Sequence, residues 1–73
     1  MTSLVVDLNR PDLLDDLVAS LRRSGCSVRR LGWRSCAVHH VEATDETEAR
    51  VEVAFYLRAW QTRHRNAQAL LRA

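Results

Sequence analysis

One stripe of leucines constrains this chain more than any other feature. Leu13, Leu14, Leu17, Val18 and Leu21 recur at i, i+1, i+4, i+5 and i+8, the spacing of a single apolar face on a helix. Pro11 stands in the first turn, where its missing N–H costs nothing, and Asn9 is placed to cap the free N–H groups. Asp12, Asp15 and Asp16 gather near the start, and Arg22 and Arg23 near the end, both as the helix dipole favours. Ser24-Gly25 closes the helix, since glycine takes positive φ without penalty.

Strand patterns lie on both sides of this helix. In Ser3–Leu8, Leu4, Val6 and Leu8 alternate with Ser3, Val5 and Asp7, which is the period of a strand with one apolar face. Cys26–Leu31 and Ser35–Val41 read as a hairpin turning at Gly32-Trp33-Arg34. A turn centred there sets Val28 opposite Val38 and Cys26 opposite His40. Cys26, Val28, Cys36 and Val38 then form the apolar face, and Ser27, Arg29, Leu31, Ala37, His39 and Val41 a mixed one.

Asp45 with Glu48 resembles a capping box and predicts a second helix running to about His64. Ala49, Val53, Tyr56, Leu57, Trp60 and His64 share one face of it. Residues 50–57 also alternate as a strand would, through Val51, Val53, Phe55 and Leu57. The cap and the acidic-to-basic charge gradient favour helix, which would leave Val51 and Phe55 as a second apolar patch open to a partner. Residues 67–72 fit either a last short strand or a continuation of the helix.

The order β-α-β-β-α, with a terminal β in question, predicts an α+β class. It fits a small ferredoxin-like βαββα(β) sandwich, an antiparallel sheet with both helices on one face, in a single domain over residues 1–73. The arrangement resembles small ferredoxin-like modules such as ACT-like regulatory domains. That resemblance lies in element order alone and transfers no functional residue. In such a plan Val5, Leu31, Ala37 and Val41 line the open sheet face beside Asp7, Arg29 and His39. A half-apolar open face on a small domain is the kind that a second subunit covers.

Composition narrows the rest. At 73 residues with 47% apolar and 27% charged, the chain has room for one core and is not disordered. No apolar run approaches the roughly 20 residues of a membrane span. Met1-Thr2-Ser3-Leu4 lacks the basic segment of a secretory leader, so a cytoplasmic location is expected. All 11 basic residues are arginine, and there is no isoleucine; together these fit the codon usage of a GC-rich genome. Cys26 and Cys36 have neither disulfide-framework nor zinc-site spacing and read as buried thiols.

No Gly-rich phosphate loop, G-x-S-x-G elbow or H-E-x-x-H helix is present. The acids between Glu42 and Glu52 read as a solvated helix start. Cys26 and His40 could share a face as a thiol–imidazole pair, but His39 points the other way and no third ligand is evident. Five of the arginines fall within residues 22–34, and Arg29, Arg30 and Arg34 with Trp33 make an alternative nucleic-acid surface. The sheet lacks the paired stacking aromatics of an RNA-recognition motif, however. A turn tryptophan more often folds over a core edge than stands exposed. The expectation is a non-enzymatic interaction or regulatory module without a cofactor or metal. It would be a homodimer through the open sheet face or a sheet edge, with Val5, Arg29, Leu31, Trp33, Ala37, His39 and Val41 as the partner-binding residues.

Overall fold

Alternation builds the first strand. Leu4, Val6 and Leu8 of β1 (Leu4–Leu8) are at most 1% exposed, while Val5 and Asp7 between them are half-buried. The structure, a computed structural model, describes residues 3–72. Met1 and Thr2, on which the leader reading partly rests, lie outside the described residues.

Asn9 does not cap the first helix. Its side chain instead accepts a bond from the Gln68 backbone N–H at 2.7 Å, and its own N–H donates to Gln68 O. The chain enters through a 3-10 turn at Pro11–Leu13 and then forms α1 (Leu14–Arg23), neither with a side-chain cap. Proline's fixed φ starts this tight turn without a cap. Leu14, Leu17, Val18 and Leu21 are buried, and burial of each such leucine contributes about 1.5–3 kcal/mol. Gly25 ends the helix with φ of 95°, a backbone conformation that other residues adopt only under strain.

β2 (Cys26–Arg30) and β3 (Ser35–His40) pair antiparallel, with Cys26 opposite His40 and Val28 opposite Val38, the predicted register. Both strands stop one residue earlier than predicted. Leu31 and Gly32 donate their N–H groups to Ser35 O, closing the hairpin, and Val41 enters a turn where Ala43 N–H bonds to His40 O. Leu31 and Val41 therefore lie past the strand ends and outside the paired sheet.

α2 (Glu46–Arg63) is helical throughout, including residues 50–57. Asp45 accepts from the Glu48 N–H at 2.8 Å, and Glu48 reaches back to the Thr44 N–H at 3.0 Å. The box thus closes one residue further back than in the usual pairing. Ala49, Val53, Leu57 and Trp60 face the core. Val51 and Phe55 remain 64% and 63% exposed on the far side. Residues 67–72 resolve as a strand, β4 (Ala69–Arg72), antiparallel to β1.

The described chain is thus α+β: two α-helices and a four-stranded antiparallel sheet in the order β2-β3-β1-β4. Both helices contribute to one core with the inward residues of the sheet. Among the described residues no helix or strand covers the other sheet face. Among the described residues no helix is long and apolar enough to cross a membrane.

Candidate functional site

Strand parity decides which side chains reach the uncovered face. Register aligns Arg29, Ala37, Val5 and Arg72 in one row, and Ser35, Asp7 and Leu70 in the next. Ser27 and His39 pair in a third row, which Ser3 adjoins at the start of β1. Val5, Ala37 and His39 are half-buried and Arg29 is exposed. Leu31 (49% exposed) and Val41 (61%) flank this face from the loops. Leu70, 62% exposed on β4, is the apolar member that sequence reading missed, because residues 67–72 could not be placed as a strand.

Asp7 organises the β1–β4 side. The Ser35 hydroxyl donates to it at 2.8 Å and Arg72 binds it at 2.6 Å. The Ser35 bond first, and Arg72 after it, hold the carboxyl below its ordinary value against the opposing effect of burial. A cleft of about 550 Å³ opens there, lined by Asp7, Asn9, Arg34, Gln61, Gln68 and Leu70 among others. Several of its polar groups already serve the fold: Asp7 as described, Asn9 to Gln68, and Gln61 to the Ala69 N–H.

On the β2–β3 side a hollow of about 250 Å³ is lined by Ser3, Ser27, Arg29, Ala37 and His39. The small Ala37 side chain lies directly across from Arg29 and leaves the depression between them. Among the described residues, no hydrogen bond or ion pair engages the side chain of Ser3, Ser27 or Arg29.

The arginine cluster separates in three dimensions. Arg22 donates to Val28 O at 2.9 Å, Arg30 pairs with Asp15 on α1, and Arg34 lies 5.7 Å from the Trp33 ring centre. Only Arg29 of the group sits in a strand row of the open face. Trp33 does not fold over the core; it is 69% exposed at the hairpin tip.

Cys26 and His40 do share the covered face. His40 is 9% exposed, its Nε2 lies 3.3 Å from the Tyr56 hydroxyl, and its buried Nδ1 has no hydrogen-bond partner among the described residues. Burial pushes both thiols up, that of Cys36 to about 11. They are therefore held as neutral thiols rather than nucleophilic thiolates. The described residues contain no group of three or more His, Cys, Asp or Glu arranged to hold a metal ion. A second cluster joins the helices: Trp60 Nε1 donates to Asp16 at 2.8 Å, and His64, stacked on Trp60, approaches the same carboxylate at 3.2 Å. Only the core role of Trp60 was legible from spacing.

The two sheet edges differ. On β2, Arg22 covers the outward Val28 carbonyl. On β4, Leu8 donates its N–H toward β3, to Arg34 O, so Leu8 and Ala69 form a non-hydrogen-bonded pair. Alternation then turns the N–H and C=O of Ala69 and Leu71 away from β1. Gln61 occupies the Ala69 N–H, and Leu71 presents its backbone groups at the rim.

No protein-family model matches this chain, and no curated protein or solved structure matches it either.

Proposed function

We propose that this chain is a non-enzymatic interaction module of the ferredoxin-like kind, which assembles as a homodimer through the β4 edge and the adjoining open face. The sheet order supports the plan, because each helix links two strands with a third lying between them. The observation that carries the assembly is Leu70. A large apolar side chain stands 62% exposed on an edge strand whose outer backbone groups invite pairing. Four residues of strand give few rungs, so the second copy also draws on Leu70 and Val5 of the open face.

Sedimentation of the full chain tests this reading. A dimer at high micromolar concentration that becomes a monomer on Leu70→Arg substitution is the expected result. A wild-type monomer at that concentration overturns it.

A further inference from the structure

We infer that the hollow between β2 and β3 binds an oxyanion, specifically the phosphate group of a small phosphomonoester. Four features converge. First, the hydroxyl side chains of Ser27 and Ser3 line the hollow on either side of His39, which the register pairs with Ser27 and which already has an interaction of its own. Neighbouring strands are about 4.8 Å apart, so this row spans about 10 Å, with His39 at its centre. Second, Arg29 lies two residues along β2 from Ser27, beside the row, and presents the fork that matches a phosphate in two bonds.

Third, among the described residues no carboxylate, hydrogen bond or ion pair engages the Arg29 guanidinium, so an anion would not have to displace an internal partner. Asp7, the carboxylate on the same face, sits two strands over and one row along, about 10 Å across and 7 Å down the sheet. Its charge is matched by Arg72. A guanidinium without an internal carboxylate partner, beside two hydroxyls, offers an anion charge and donors without first breaking an ion pair, at the cost of ordering the exposed Arg29 side chain.

Fourth, the shape sets a size. Ala37 forms the floor of the hollow, and its volume of about 250 Å³ leaves space beyond one phosphate for a small organic group. Arg72, the other basic residue in the row of Arg29, is paired with Asp7. Arg22 and Arg30 are engaged elsewhere, so a nucleic-acid backbone would find one phosphate contact here and no track to follow. These features favour a discrete small anion. The inference does not rest on self-association, since the hollow lies at the β2 side, away from the β4 edge.

Titration of the full chain with inorganic phosphate, followed by amide chemical shifts at constant ionic strength set with chloride, tests the assignment. Saturable shifts confined to Ser3, Ser27, Arg29, Ala37 and His39 are expected. Arg29→Gln should weaken them at least tenfold, and Arg29→Lys by less, since it keeps the charge and loses the fork. Arg29 is exposed, so these variants should keep the remaining spectrum unchanged. The Leu70→Arg variant should bind phosphate as the parent does, even if it is monomeric. Shifts that do not saturate, or that persist in Arg29→Gln, overturn the inference. A single-stranded oligouridylate that binds more tightly than phosphate and moves Trp33 also overturns it, in favour of a nucleic-acid partner.

Discussion

His39 and His40 are consecutive, yet the sheet gives them opposite surroundings. His40 turns to the covered face, 9% exposed, against Tyr56 and across from Cys26. His39 turns to the open face, between Ser27 and the start of β1. The covered face collects Leu4, Val6, Leu8, Cys26, Val28, Cys36 and Val38, none more than 7% exposed. The open face mixes Val5, Ala37 and Leu70 with serines, an arginine and an ion pair. One face supplies the energy of folding, and the other is the face on which the proposed interactions fall. Nearly identical chemistry, moved by one residue, is thereby given a different task.

The strongest test of that division compares two leucines on neighbouring strands of the sheet. Leu4→Ala, on the covered face at 1% exposure, should cost about 2–5 kcal/mol, because it leaves a cavity that neighbours fill only in part. Leu70→Ala, on the open face, should change the stability of the monomer by less than about 0.5 kcal/mol. Urea unfolding at concentrations low enough to suppress association measures both. Equal losses would show that the open face is packed against something within the chain.

The next effect is smaller and of opposite sign. His40 carries a buried Nδ1 with no hydrogen-bond partner among the described residues, a group whose desolvation is uncompensated. His40→Phe keeps the flat ring against Tyr56 and removes that group, so it should stabilise the fold by about 1 kcal/mol. His39→Phe on the open face should give no comparable gain. Tyr56→Phe removes the Nε2 contact alone, so a destabilisation by His40→Phe larger than that of Tyr56→Phe would mean that Nδ1 is satisfied, for instance by an ordered water.

How much of this was legible beforehand follows from the range of the forces involved. Patterns set by neighbours a few residues apart could be read: the stripe of α1, the alternation of β1, the register of the hairpin and the cap of α2. Asn9 was misjudged as a cap because its partner, Gln68, is distant in sequence and belongs to a strand that composition could not identify. Leu70 was missed for the same reason. The helical state of residues 50–57 was ambiguous because Val51 and Phe55 are apolar on a face that no core covers. Their periodicity therefore reported exposure rather than a strand. The scattering of the arginine cluster was also hidden, since Arg22 and Arg30 are drawn off by Val28 and Asp15 in three dimensions.

The mildest test lies at the open face itself, where Asp7 links three strands through Ser35 and Arg72. Its carboxyl titrates below the ordinary value of 3.8, chiefly because the Ser35 hydroxyl stabilises the ionised form. A group with a depressed folded pKa contributes stability above its unfolded pKa and loses it as pH falls through the folded one. The contribution is therefore complete at neutral pH and fades only in acid, below 3.8. Ser35→Ala and Arg72→Gln should each raise the Asp7 midpoint toward the ordinary value, read from the carboxyl carbon shift. Acid unfolding of Ser35→Ala should then begin closer to that ordinary value than in the parent. An unmoved midpoint in Ser35→Ala would show that the open face holds Asp7 by charge alone, and the contrast with the hydrogen-bonded, desolvated interior would have to be redrawn.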